Sequence, residues 1–434
     1  MVGGQAGMGL AQDESQRTRR KERSRRKATA QEAAKTGHQK TQEQLRTFVE
    51  CRAVWAALTN IPQWAKAGAK QCTLLEQTPD TLQGTGRESA IPPSLQQVFK
   101  TAFKQCEALV WLPVIFASDD PAQSGWIRQA WYQAVMESGI ERFPSHPGCA
   151  TLPGGAEILE RLLALFESKP TLPAVILVGM DSPLANAVQQ TPDSMLSHAV
   201  TALLISRPGL TAPSDAQIAA ARRHGADGLM VPFWERERMR EQTHGAEASP
   251  MWGSMPLALQ PEFLKNFPPI ATLHRTGTIR EPAPKQGALA RQFHEAIQAA
   301  LIRAGLCEPP PADANGGEEG APPKPEEPVP LGLGWLVHDA EPDGLSALTS
   351  ALYEFGSDLD PIKEIGNVMT EYGEVGEAHN VLLLAGALIR TAQLQKPVLI
   401  AKFDESKNII IGLACPPKKT ASTELPAPQR QKAA

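Results

Sequence analysis

Cysteines at positions 51, 72, 106, 149, 307 and 415 of this 434-residue chain are its candidate sulfur nucleophiles. A reactive thiolate needs a helix N-terminus or a neighbouring cation to lower its pKa. Only Cys149, in FPSHPGCATLPGG, has a histidine (His146) and glycines close by, and no strong strand signal directly precedes it. It is no nucleophile elbow, and a structural or incidental role is expected. Met180-Asp181-Ser182-Pro183 follows a strand-like run, but G-x-S-x-G is missing and Pro183 restricts the turn, which argues against a serine hydrolase. The T-G-T in HRTGTIRE at 274–281 lacks the G-x-x-x-x-G-K of a phosphate loop. His198, His224 and His244 are too far apart in sequence to read as metal ligands, and HxxxH and HExxH do not occur. No metal and no cofactor are therefore expected.

The elements that must position any site alternate between strand and helix. The best buried-strand candidate is PAVILVGM at 173–180, and 108–118, 270–273, 333–337, 397–401 and 408–413 read as further strands. Helices are predicted over 44–60, 93–103, 124–138, 156–166, 192–201, 214–224, 287–304, 345–353 and 380–394. ALLIS at 202–206 either extends the 192–201 helix or forms a short strand. Several wholly apolar strands among helices mean an α/β protein.

One stretch places a histidine at the end of a buried strand, WLVHDAEP with His338, and follows it with MTEYGEVGEAHN opening an apolar helix. This layout resembles the second half of the thiolase-like, or β-ketoacyl-synthase-like, superfamily, where a strand delivers a histidine and a glycine-containing turn opens a buried helix. The resemblance implies a layered α-β-α-β-α fold with two pseudo-symmetric lobes. Carried over residue by residue, His338 matches the first family histidine and Gly373 the first turn glycine, while Gly376 falls one position short of the second. Met369 stands at the lysine position and Glu374 at the second histidine position. Losing the lysine removes a stabilising charge, and a glutamate beside a would-be oxyanion opposes the chemistry. His338 is expected to be a structural histidine paired with Glu374, and a shifted match would bring in His379. The expectation is a pseudoenzyme.

TPDSMLSHAVTALLISRPGL at 191–210, WLVHDAEPDG at 335–344 and the run at 357–388 are further similar to a bacterial family that includes a type VI secretion lipase adaptor. That resemblance implies a cytoplasmic adaptor whose partners are a secreted phospholipase effector and the secretion spike. Candidate contact residues are Trp126, Phe233, Trp234 and Trp252, in loops with polar or proline-containing neighbours. Homodimerisation is common in the superfamily and is kept open. Two alternatives also stand: an acyl-thioester enzyme with a relocated nucleophile, and a nucleic-acid-associated protein acting through its basic tail.

Composition bounds the rest. Apolar residues make up 42%, and with a net charge of -4 the folded part is not expected to be a general polyanion binder. RTRRKERSRRK at 17–27 lies in a polar segment, 1–45, expected to be disordered. An N-terminal α/β region is expected over 46–307, a Pro/Glu-rich linker or insertion over 308–330, a second lobe over 331–415 and a disordered tail over 416–434. Scattered cysteines without CxxC fit a reducing compartment. No run reaches membrane-span length and no secretory signal is read, and the opening MVGG does not tell whether a membrane anchor once preceded it.

Overall fold

Strands that are apolar on both faces must be covered on both faces, and the layering of this chain follows from that demand. A computed structural model describes residues 47–118, 120, 123–144, 147–155, 157–169, 172–188, 195–212, 255–256, 259–307, 332–357, 359–360, 363–403 and 408–417. The expectations for 1–45, 214–224 and 308–330, most of 416–434, and Phe233, Trp234 and Trp252 lie outside the described residues.

The described strands of the first half are β1 (Phe48–Leu58), β2 (Cys72–Glu76), β3 (Val114–Ala117), β4 (Cys149–Leu152), β5 (Ala174–Asp181) and β6 (Ala199–Ser206). Those of the second are β7 (Ala271–His274), β8 (Gly277–Ile279), β9 (Trp335–His338), β10 (Ile365–Asn367), β11 (Val398–Phe403) and β12 (Ile409–Cys415). They form one sheet in the order β10-β9-β11-β12-β7-β1-β6-β5-β3-β4, with β2 beside β1 and β8 beside β12. The same five-strand unit occurs in it twice. Numbered by appearance, β1, β3, β4, β5 and β6 stand in the order 3-2-4-5-1, and so do β7, β9, β10, β11 and β12. In each unit strands 2, 3 and 4 run parallel and strand 5 runs antiparallel to its neighbours. The units join where β1 and β7 pair antiparallel, Phe48 opposite His274.

Parallel neighbours require helical crossovers. In the first half these are α1 (Arg87–Gln105), α2 (Ser124–Ser138) and α3 (Ile158–Ser168). In the second they are α4 (Gln286–Ala304), α5 (Pro342–Glu354) and the pair α6 (Val368–Tyr372) and α7 (His379–Leu394). Alternate residues of the first half's strands sort into two cores. Trp55, Ile176 and Leu204 face α1 and α2, whereas Val54, Leu177 and Leu203 face the core that holds α3 and α7. Helix α7 is apolar around most of its circumference and touches β1, β5 and β6 as well as β9, β11 and β12. It lies between the two half-sheets, as an all-round apolar helix must. Helices α4 and α5 cover the remaining face, with Phe293 and Phe403 in ring contact. The result is a five-layered α-β-α-β-α architecture with two halves of identical topology.

Two expected helices are corrected. The segment expected to be a helix over 44–60 holds β1, and the one over 192–201 gives way to β6 from Ala199. Both strands are central and buried on both faces, so their apolar residues show no period of two to set against a helical one. The second five-strand unit also begins at β7, well before residue 331. No helix among the described residues is long and apolar enough to cross a membrane.

Candidate functional site

In parallel α/β sheets the open chemistry lies beyond the carboxyl ends of the strands. Here those ends, from both halves, face one cavity of about 510 Å³. Ala117 and Ser118 come from the end of β3, and Gly154 and Gly155 lead into α3. Asp339 follows β9, Lys402 lies on β11, and Met369 lies on α6. Glu374, Gly376 and Glu377 form the turn before α7, whose first residues His379 and Asn380 complete the lining.

Asp339 is the most heavily bonded of these groups. It accepts from the backbone N–H of Phe403 at 2.7 Å and from Lys402 Nζ at 2.5 Å, and shares a 2.9 Å hydrogen bond with His379 Nε2. Burial pushes its carboxyl up, but these bonds outweigh burial and hold it below the usual aspartate value. On the other side, Asp181 ends β5 and accepts from the N–H of Ser182 at 2.6 Å and of Glu377 at 2.9 Å. Arg87 Nε lies 2.8 Å from it in an ion contact that is not a well-directed hydrogen bond. Burial nevertheless raises the Asp181 carboxyl. Glu377 Oε2 accepts from Ser118 Oγ at 2.9 Å and Gln123 Nε2 at 3.0 Å, and Asn380 donates to the Gly154 carbonyl at 2.6 Å. The imidazole–carboxylate pair and the hydroxyl–carboxylate pair are thus separate, and among the described residues no imidazole is bonded to Ser118.

Two glycines set the turn. Gly373 has φ +82°, and a Cβ there would lie 2.3 Å from the Met195 carbonyl oxygen and Ser197 Oγ. Gly376 has φ +53°, and a Cβ there would lie 2.1 Å from Asp181 Oδ2. Only glycine fits either conformation at that distance.

The residues expected from sequence are brought together only in part. Met369 and Glu374 line the cavity and Gly373 shapes it. His338 does not line it. It is 2% exposed, accepts from the Ala340 N–H at 3.0 Å through Nδ1, and burial lowers its pKa to about 4 against a smaller opposing effect of Asp339. The expected pairing of His338 with Glu374 is therefore corrected. Glu374 is exposed, and the cavity-lining histidine that meets a carboxylate is His379. Trp126 is half-buried against the outer core of the first half. None of the six cysteines lines the cavity. Cys149 starts β4 at the end away from Gly154, and burial pushes its thiol up to about 11. Ser182 is fully buried. Among the described residues no group of histidine, cysteine and carboxylate side chains is placed to hold a metal.

Sequence reasoning missed Asp339, Lys402, Asp181, Glu377, Ser118 and Arg87 as members of one site. The available signal was a polar residue at the carboxyl end of an apolar strand, as in VIFAS, VILVGMD and WLVHD.

No protein-family model matches this chain, and no curated protein matches it in sequence. Similar solved structures include 3-oxoacyl-[acyl-carrier-protein] synthase III from Aquifex aeolicus VF5, 10% identical, with a TM-score of 0.41 over 85% of this chain and 99% of that one. Human mitochondrial 3-ketoacyl-CoA thiolase is 12% identical, with a TM-score of 0.39 over 86% and 99%. Peroxisomal 3-ketoacyl-CoA thiolase of Saccharomyces cerevisiae, described as five-layered and built from two core domains of identical topology, is 9% identical with a TM-score of 0.40 over 86% and 99%.

Proposed function

We propose that this chain is a non-catalytic, thiolase-like scaffold that binds a protein client. The observation that carries the reading is the cavity lining. The strand ends of both halves meet there, yet no cysteine does. The approach to α3 carries Gly154 and Gly155, and the cavity mouth carries the Glu374 carboxylate. A condensing reaction needs a thiolate and donors for a developing oxyanion. This lining offers carboxylates, and the one imidazole–carboxylate pair has Lys402 on its carboxylate and no nucleophile bonded to it. The resemblance of 191–210, 335–344 and 357–388 to a type VI secretion lipase adaptor family adds the client, a phospholipase effector to be loaded on the secretion spike.

Two measurements test this. Affinity capture from a lysate of the cells that produce the chain, read by mass spectrometry, is expected to recover a phospholipase in stoichiometric amount. Incubation with acyl-coenzyme A, read by thiol release, is expected to give the background rate. Thiol release that disappears in Asp339→Asn would establish an enzyme and overturn the reading.

A further inference from the structure

A buried carboxylate fastens the turn before α7. Asp181 is 6% exposed at the end of β5. Its Oδ2 accepts from the Glu377 N–H at 2.9 Å and its Oδ1 from the Ser182 N–H at 2.6 Å. Gly376 presses against it so closely that a Cβ would lie 2.1 Å from Oδ2. One guanidinium stands between this carboxylate and a second. Arg87, the first residue of α1, places Nε 2.8 Å from Asp181 Oδ1 and Nη2 3.9 Å from Glu377 Oε2. Neither nitrogen makes a well-directed hydrogen bond among the described residues, so little geometry commits Arg87 to one partner. Glu377 Oε2 meanwhile accepts from Ser118 and Gln123, and Ser118 and Glu377 both line the cavity.

Two carboxylates sharing one cation do not hold their protons alike. Burial, the largest effect, raises Asp181; its two N–H bonds and then Arg87 oppose the rise, and Glu377 adds to it. Other titratable groups on the elements packed against β5 are exposed or engaged. Glu88 and Glu374 are exposed, and His379 is bonded to Asp339. His198, just before β6, is pushed down to about 4 by burial. A proton on Asp181 cancels its attraction for Arg87 and weakens it as an acceptor for the Glu377 N–H. The Glu377 carboxylate then remains as the charge partner of Arg87, a small displacement from its present 3.9 Å. Taking Arg87 draws Glu377 away from Ser118 and Gln123.

We infer that Asp181 is a proton-operated latch on the cavity turn: ionised, it pins the Glu377 N–H and Arg87 to the end of β5; protonated, it passes Arg87 to Glu377 and lets the turn loosen. The latch belongs to the fold and is tested without a client. Hydrogen exchange of the full chain measures it, read by mass spectrometry on peptides spanning 373–380 from about pH 8 to about pH 5 and corrected for the intrinsic rate. Protection of the turn is expected to fall about five-fold or more as pH drops, while α4 on the far face holds its protection. Asp181→Asn is expected to remove the response and to leave the turn loose throughout. Arg87→Gln takes away the opposing cation and is expected to move the midpoint up in pH. Glu377→Gln takes away the like charge and is expected to move it down. A merely structural role would not move the midpoint in opposite directions. Should Asp181→Asn fail to fold by circular dichroism, these two variants decide. Turn protection unchanged across the range, an equal loss in α4, a wild-type response in Asp181→Asn, or a midpoint that Arg87→Gln and Glu377→Gln do not shift in opposite directions would overturn the latch.

Discussion

Two buried histidines make this chain acid-sensitive in a way that its net charge does not announce. Burial lowers both His198 and His338 from 6.5 to about 4. Between those values the unfolded chain binds protons that the folded chain refuses, so stability is full above pH 6.5 and falls as pH drops toward 4. Each histidine accounts for roughly 3 kcal/mol over that window. His338→Asn keeps an acceptor for the Ala340 N–H, and thermal unfolding measured from pH 7 to pH 4 is expected to show a shallower loss than the wild type. Asp339 acts with the same sign lower down. Its carboxyl is held below the usual value, so its contribution is present above the unfolded pKa and is lost as pH falls through the folded one. Asp339→Asn leaves Lys402 without its buried anion and is expected to cost about 3–5 kcal/mol, read as a lower urea midpoint.

The turn between α6 and α7 is the element on which the cavity depends. Gly376→Ala puts a methyl group against the Asp181 carboxylate at a positive φ, and both the backbone and the Glu377 N–H bond must give way. A loss of about 2 kcal/mol or more is expected in chemical denaturation. A second clamp links α3 to the β7–β8 turn. Arg275 bonds Glu160 and Glu167, while the N–H and hydroxyl of Thr276 donate to Glu160. Arg275→Ala is expected to cost about 1–2 kcal/mol, more than an exposed ion pair, because Glu160 is half-buried and shared with Thr276, while the exposed Glu167 adds little.

Legibility followed the same physics. Helices with one apolar face, such as α2, α3 and α4, were readable nearly to their ends from residue spacing. The two-face strands β1 and β6 were not, because their pattern carries no period. Met369, Gly373 and Glu374 were legible as members of a site through their local motif. Ser118 and Asp339, 221 residues apart (339 − 118) in the numbering of the chain, reach one cavity only through the pairing of two half-sheets, which no local pattern encodes.

At the scale of the whole molecule the halves are not independent. One core contains the strands of both halves and α7 between them. Residues 48–212 produced alone would expose that core along the central faces of β1, β5 and β6, and burial of apolar surface is the dominant stabilising contribution to such a fold. The isolated segment is expected to aggregate or to lack cooperative unfolding, whereas 48–434 unfolds with a sharp transition; size-exclusion chromatography and thermal circular dichroism distinguish the two. The repeated strand order has one more consequence. The two units share a path but not a chemistry: where one strand 2 ends in Ser118, its counterpart ends in Asp339. A truly symmetric seam would accept a visitor either way round. This seam has a left and a right, so the two ways of lying across it are not equivalent.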